Sequence, residues 1–220
     1  MHSDKNCDKS TAVMSANTIE ANQRRFQLGQ DEQVWLFGYG SLIYLIDFPY
    51  IESKPACIHG WSRRFWQGSH DHRGTESNPG RVVTLIEEPN AICGGIAFLV
   101  EGSVFSQLDE REKNGYLRIE TEMIFTDGST ATGLTYIATP ENSAWLGEAS
   151  EYEIAQHICR CHGPSGPNDE YLLSLAASLR ELGLQDRHVF EIEAHIHAIR
   201  RGTGSGHKHQ SMPGLDQPDA

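Results

Sequence analysis

Strand-like and helix-like patterns occupy different parts of this chain, and their separation limits the possible folds more than any other feature. The first part contains the strand-like runs VWLFGYG, RVVTLIEE and CGGIAFLVE, and in the last of these Gly94 and Gly95 predict a bulge or a close backbone approach. The runs RIETEMIF and TATGLTYIA flank Asp127-Gly128, which is typical of a tight hairpin turn. Helical periodicity appears later. This order predicts an α+β fold, in which a curved or closed sheet is partly covered by helices.

Three helices are predicted in the last third of the chain. Ser150 and Glu153 have the spacing of a capping box before SEYEIAQHICRC, with Gly163 as the expected stop. The segment NDEYLLSLAASLREL carries an apolar stripe and ends at Gly183. The segment DRHVFEIEAHIHAIRR follows, and Asp186 is its expected N-cap.

The folded unit is expected to span residues 33–201 of the 220. Residues 1–32 are polar and show no period, so they predict a disordered or weakly ordered arm. Residues 202–220 are rich in Gly, Ser and Pro and predict a disordered tail. The length fits one domain that can bury a substantial core.

Charge and composition exclude several classes of partner. The formal net charge of −12 and the lack of any sustained basic run argue against nucleic-acid binding. No stretch approaches the roughly 20 apolar residues of a membrane span, and the N-terminus lacks the apolar segment of a secretory signal. Five scattered cysteines do not resemble a disulfide framework. We therefore expect a cytoplasmic protein with neither a nucleic-acid nor a membrane partner; the sequence does not predict its oligomeric state.

The motif FGYGSLI follows a predicted strand and places glycines on both sides of Tyr39. Glycine leaves room for a ligand near the backbone, so N–H groups around Gly40 can converge on an anion, and Ser41 adds a hydroxyl. The spacing matches neither of the common nucleotide-binding glycine motifs. A carboxylate or a small amino-acid substrate is the better hypothesis, and a turn that merely closes the strand is the alternative.

The segment VFSQLDEREKNGY places a carboxylate where a helix would face the core. Phe105 and Leu108 lie at i and i+3, and Glu112 takes the i+7 position of the same stripe. One interpretation is that the helix ends before Glu112, or that Glu112 pairs with Arg111, Lys113 or Arg118 on a solvated face. The other is a carboxylate in a cavity, where desolvation raises its pKa enough for proton exchange near neutral pH.

Other polar residues suggest weaker hypotheses. His70 and His72 form an HxH pair without a further spaced ligand, and Cys159 and Cys161 lie two apart on a predicted helix, so we predict neither a metal nor another cofactor. Arg81 begins an apolar strand and is a candidate carboxylate partner, although a surface salt bridge is the alternative.

Taken in order, the motifs FGYGSLI, DFPY, SRRFWQGSHDHRG, PGRVVTL, LDEREKNGY, YIATPEN and GPSGPNDEYL resemble the ChaC family of γ-glutamylcyclotransferases, in its glutathione-specific branch. The resemblance covers about residues 34–199. It implies a small mixed β-barrel with flanking helices. It also implies a reaction in which the α-amino group of a γ-glutamyl unit attacks its own γ-carbonyl. Glutathione would then yield 5-oxoproline and cysteinylglycine, with no metal or water consumed.

The resemblance assigns roles to particular residues. The catalytic glutamate of the family lies in an REK segment, which here corresponds to Glu112. The implied substrate-binding residues are Tyr39, Gly40, Ser41, Leu42 and Tyr171, with Arg81 and Tyr116 as weaker correspondences. This chain departs from the family pattern at Tyr44, where relatives often have Trp, and at Asn114, where they commonly have Gly.

Two alternatives remain at this point. The same chemistry could act on other γ-glutamyl peptides or on γ-glutamylamines. The same barrel could instead serve as a non-catalytic binding module. A pure binding module has no need for a carboxylate on an apolar stripe, so Glu112 favours an enzyme.

Overall fold

The structure, a computed structural model, describes residues 17–204 and contains a closed barrel of five strands. The strands are β1 (Gln33–Gly38), β2 (Glu52–Ser69), β3 (Gly80–Glu101), β4 (Tyr116–Phe125) and β5 (Thr130–Ala138). Their order around the barrel is β1-β3-β2-β4-β5. The barrel closes through a short parallel pairing of β1 with β5, and the other neighbours are antiparallel. The predicted α+β fold with a mixed barrel is confirmed.

Helices flank the barrel. They are α1 (Ile19–Arg25), α2 (Phe105–Arg111), α3 (Glu151–Ile158), α4 (Asn168–Glu181) and α5 (Arg187–Gly204). Two short strands, β6 (His162–Gly163) and β7 (Gly166–Pro167), form a separate small hairpin. In residues 17–204, no helix is both long enough and apolar enough to cross a membrane.

The starts of two helices follow the sequence prediction. Ser150 and Glu153 exchange the hydrogen bonds of a capping box at the start of α3. The Asp186 carboxylate accepts a hydrogen bond of 3.0 Å from the Val189 N–H and so caps α5. The predicted stop of α3 at Gly163 was wrong: the helix ends earlier, and Gly163 pairs within the β6–β7 hairpin.

Two apolar clusters stabilise this arrangement. The larger fills the barrel and the interface with the last three helices, and includes Phe65, Ile154, Leu172, Leu175, Val189 and Ile192. The second lies between the barrel and α2, where Phe105 and Leu108 are 2% and 1% exposed. The apolar stripe of Phe105 and Leu108 therefore fixes helix α2 on the barrel. Glu112 is the residue directly after the end of this helix.

The two strands predicted from RVVTLIEE and CGGIAFLVE are one continuous strand, β3. It pairs along its length with β2, which the sequence did not predict as a strand. The pairing is interrupted where Asn90 takes a positive φ of 68°, so the chain bends there without leaving the sheet. The close approach predicted at Gly95 is present, because a Cβ there would collide with the Gly38 carbonyl oxygen.

The N-terminal arm, for which the sequence predicts disorder or weak order, contains helix α1 in its described part. Helix α1 packs on the start of β4, and Asn22 is fully buried in that contact. At the start of β4 this contact depends on a polar side chain with two backbone partners, which a search for apolar periodicity does not detect. The remainder of the predicted arm, residues 1–16, lies outside the described residues. At the other end, α5 runs past residue 201 to Gly204, and the rest of the predicted tail also lies outside them.

Candidate active site

A cavity of about 280 Å³ opens at one end of the barrel. Its walls come from the turn after β1, the end of β2 and the loop that follows, β3, the end of α2, the start of β4, and α4. Seven of the eight predicted site residues line it: Tyr39, Gly40, Ser41, Leu42, Glu112, Tyr116 and Tyr171. The fold therefore brings together residues that lie far apart in the chain.

The turn after β1 presents backbone to this cavity. A Cβ at Gly40 would lie 2.8 Å from Val83 Cγ2, so the close packing of this turn requires glycine. Hydrogen bonding within the turn begins with the Ile43 N–H, which donates to the Gly40 carbonyl at 3.0 Å. The N–H groups of Gly40, Ser41 and Leu42 are not used within the turn, as at the start of any helical segment. Because the turn does not use these groups, they can donate to an anion or a carbonyl oxygen.

Glu112 is the first residue after helix α2, and its N–H still donates to the Leu108 carbonyl at 2.8 Å. Its side chain is 16% exposed. Burial raises the pKa of Glu112 to about 7, against the opposing effect of Arg111, while Asp47 and Asp71 raise it further. A carboxyl group with this pKa can both accept and release a proton near neutral pH.

The surroundings of Glu112 resolve the two interpretations of its position. Arg111 lies 3.4 Å from Glu112 Oε1. Lys113 and Arg118, the other cations considered as partners, pair with different carboxylates. The helix does end just before Glu112 and Arg111 is its ion-pair partner, but the Glu112 carboxyl group lines the cavity and does not belong to a solvated face.

Three tyrosines form much of the cavity wall. The Tyr39 hydroxyl donates to the Tyr136 carbonyl at 2.6 Å, and the Tyr116 hydroxyl donates to the Val83 carbonyl at 2.7 Å. The Tyr171 hydroxyl accepts the Val83 N–H at 3.5 Å. Burial raises the pKa of all three phenols, which therefore stay neutral. Their role in the structure is to hold the wall in place and offer polar edges.

Arg81 is the predicted site residue that the structure does not bring to the cavity. Its Nη1 donates to the Phe65 carbonyl at 2.8 Å and to the Gly147 carbonyl at 2.9 Å. The residue is 7% exposed, so the alternative of a surface salt bridge does not describe it either. Arg81 connects β2 to the segment before α3.

The sequence matches the family model described as ChaC-like protein over residues 34–199. The chain belongs to the ChaC-like family. Helix α1 lies outside the matched range.

Relatives of this ChaC-like chain are similar over most of their length. The "Glutathione-specific gamma-glutamylcyclotransferase 1" of Danio rerio is 45% identical over 178 residues, covering 76% of this chain and 91% of that protein. The protein of the same name from Rattus norvegicus is 38% identical over 205 residues and 90% of each chain. A crystal structure of a yeast γ-glutamyl cyclotransferase specific to glutathione superposes with a TM-score of 0.71 at 30% identity, covering 81% of this chain and 99% of that one.

Sequence reasoning missed several polar groups of the ChaC-like cavity. Arg111 donates from Nη2 to Ser41 Oγ at 2.9 Å and from Nη1 to Asp47 at 2.5 Å. Asp71 lines the cavity and accepts a hydrogen bond from the Asn114 amide. The density of charge between residues 70 and 73 was the available signal, but apart from the family resemblance the sequence interpretation considered these residues only as a metal motif.

The structure places the candidate metal ligands in other roles. His72 Nδ1 lies 3.0 Å from Ser165 Oγ, and Cys161 Sγ lies 3.5 Å from the Pro79 carbonyl. Across residues 17–204, no group of three or more His, Cys, Asp or Glu side chains is arranged to hold a metal ion.

Proposed function

We propose that this ChaC-like protein is a glutathione-specific γ-glutamylcyclotransferase of the carbon–nitrogen lyase type, with Glu112 as its general acid and base. The observation that carries the proposal is a single buried carboxyl group with a pKa near 7, in a cavity that also contains unused backbone donors. The names of the relatives from Danio rerio and Rattus norvegicus and of the yeast structure support glutathione as the substrate.

The first step moves one proton and forms one bond. The Glu112 carboxylate takes a proton from the α-ammonium of the glutamyl unit, which is not nucleophilic until it is deprotonated. The free amine then attacks the γ-carbonyl carbon, and a five-membered ring closes as the carbonyl oxygen becomes an oxyanion. The N–H groups of Gly40, Ser41 and Leu42 are the donors proposed to hold the glutamyl unit and to stabilise that charge.

The second step breaks the original amide bond. As the oxyanion collapses, the C–N bond to the cysteine residue breaks, and the protonated Glu112 returns its proton to the leaving nitrogen. The ring nitrogen, which carries two hydrogens after the attack, gives up the extra proton to the same amine, which leaves as an ammonium group. The products are 5-oxoproline and cysteinylglycine, and Glu112 is regenerated as a carboxylate. The scheme balances without water, metal or another cofactor.

Positioning provides much of the rate enhancement in this scheme. The nucleophile is already tethered to the carbonyl that it attacks, so the enzyme has to hold the reactive rotamer. We assign this role to the walls formed by Tyr39, Tyr116 and Tyr171, which the hydrogen bonds to main-chain atoms make rigid.

The proposal includes a cytoplasmic location, with glutathione as a small-molecule partner and with no nucleic-acid or membrane partner. In the described part of the chain, Cys57, Cys93, Cys159 and Cys161 are free thiols, which is consistent with a reducing compartment. The net charge of −12 is unfavourable for binding a phosphate backbone.

The proposal can be tested by mass spectrometry of products from glutathione, from other γ-glutamyl peptides and from γ-glutamylamines. We expect 5-oxoproline and cysteinylglycine from glutathione, without incorporation of ¹⁸O from labelled water. Glutathione acetylated on its α-amino group is the matched control, since it has no nucleophile and should remain intact. Faster turnover of another γ-glutamyl compound would replace the substrate assignment. Binding of glutathione without any product would favour the binding module.

A further inference from the structure

Residues 17–25 pack against the segment of chain that directly follows Glu112. Asn17 forms an isolated antiparallel bridge with Asn114. The Thr18 N–H and the Thr18 hydroxyl both donate to the Lys113 carbonyl, at 2.9 and 3.1 Å. The first contacts of the arm therefore fall on the two residues next in the chain after Glu112.

Asn22 extends the same contact, because its side-chain amide forms hydrogen bonds with main-chain groups of strand β4. Its Nδ2 donates to the Tyr116 carbonyl at 3.1 Å, and its Oδ1 accepts the Arg118 N–H at 2.8 Å. The residue is fully buried. One amide side chain thus satisfies a carbonyl and an N–H at the start of β4, where they would otherwise lack partners and be buried under α1.

The opposite side of this segment is also fixed. Gln67 Nε2 donates to the Asn114 carbonyl at 3.2 Å. Gly115 adopts a φ of +91°, and a Cβ on it would lie 2.7 Å from Asn142 Cγ. The turn after Glu112 is thereby held between the barrel and the arm, and loss of either side would free it to move.

We propose that residues 17–25 form a positioning element for Glu112, with Asn22 as its principal positioning residue. The inference rests on the proposed function, and it adds an element from outside the family-matched residues 34–199 to the catalytic domain. Glu112 follows the last residue of helix α2, so the path of the chain after it fixes where its carboxyl group lies. A displacement of about 1 Å can lower a rate by roughly 10²-fold.

The test is Asn22→Leu, which keeps a similar volume but removes both hydrogen bonds. We expect kcat to fall roughly 10- to 100-fold, while KM stays within about twofold because the turn after β1 is untouched. We also expect the acid limb of the pH–rate profile to move to lower pH, since a loosened turn admits water to Glu112. Asn22→Asp, whose carboxylate accepts the Arg118 N–H but cannot donate to Tyr116, should be intermediate.

Arg24→Gln is the matched control on the same helix, because Arg24 is 81% exposed and pairs only with Glu20 among the described side chains. It should behave as wild type. If Asn22→Leu does not fold, Thr18→Val removes a single hydroxyl donor to Lys113 and should show the same changes to a smaller degree.

A purely stabilising arm predicts a different result. Folded Asn22→Leu would then melt at a lower temperature but keep the wild-type kcat and pH limb, and this outcome would overturn the inference. Titration of Glu112 by NMR in ¹³C-glutamate-labelled protein tests placement without turnover. A wild type that forms no product would contradict the proposed function, whereas an unchanged Glu112 titration in Asn22→Leu would contradict the positioning role.

Discussion

Arg111 donates a hydrogen bond from Nη2 to the Ser41 hydroxyl at 2.9 Å, and so joins the end of helix α2 to the turn after strand β1. The same guanidinium lies 3.4 Å from the carboxylate of Glu112. One cation therefore connects the proposed acid and base to the proposed binding turn. Its position lowers the pKa that burial raises, and keeps part of the Glu112 population ionised at neutral pH.

Replacement of Arg111 should change both the catalytic efficiency and the pH dependence of the reaction. We expect Arg111→Met to lower kcat/KM for glutathione roughly 10- to 100-fold, because a hydrogen bond to a charged group is worth about 1.5–3 kcal/mol. The acid limb of the pH–rate profile should move to higher pH, since an opposing positive charge is lost. A lower kcat/KM with an unmoved acid limb would show that Arg111 acts on the turn but not on Glu112.

The raised pKa of Glu112 also predicts how stability depends on pH. Between the ordinary value of 4.5 and the folded value of about 7, the folded state binds more protons at this group than the unfolded state. The free energy of unfolding therefore falls as the pH rises through this window. Glu112→Gln does not titrate, so its stability relative to wild type should improve by about 3 kcal/mol from pH 4.5 to above pH 7. Urea unfolding at several pH values measures this; parallel curves would refute the pKa assignment.

Arg81 should matter for stability and not for substrate binding. Arg81→Met removes the donor of two buried carbonyls, so we expect a loss of about 2–3 kcal/mol in the free energy of unfolding. KM for glutathione should stay near the wild-type value. Arg187→Met, at an arginine that is 88% exposed, is the control and should change stability by less than about 1 kcal/mol. A large rise in KM at unchanged stability would restore Arg81 as a substrate contact.

Local chemistry was sufficient to predict much of the fold. The hairpin around Asp127-Gly128 has an Asp-Gly turn between strand-like runs, and the predicted turn is present, with Gly128 at a φ of +82°. The caps at Ser150 and Asp186 also depend on side chains close in sequence. These elements are determined by residues within a few positions of one another, so a single sequence is enough to identify them.

The elements that were missed depend on partners distant in sequence. Strand β2 contains a proline, two glycines and several charges, and pairing with β3 stabilises it in spite of its composition. Arg81 was predicted to bind the substrate because its actual partners, the Phe65 and Gly147 carbonyls, cannot be inferred without the fold. Asn22 escaped notice for the same reason. Glu112 could be found because its stripe, Phe105 and Leu108, is local, even though the helix ends before it.

The central claim, that Glu112 is the general acid and base, is tested most directly by the rate of 5-oxoproline formation from glutathione by wild type and Glu112→Gln. The glutamine keeps the size of the side chain and removes the proton exchange. We expect the variant to fold like wild type and to lose roughly 10²–10⁴-fold in kcat. A folded Glu112→Gln protein that forms 5-oxoproline and cysteinylglycine at the wild-type rate would contradict the claim.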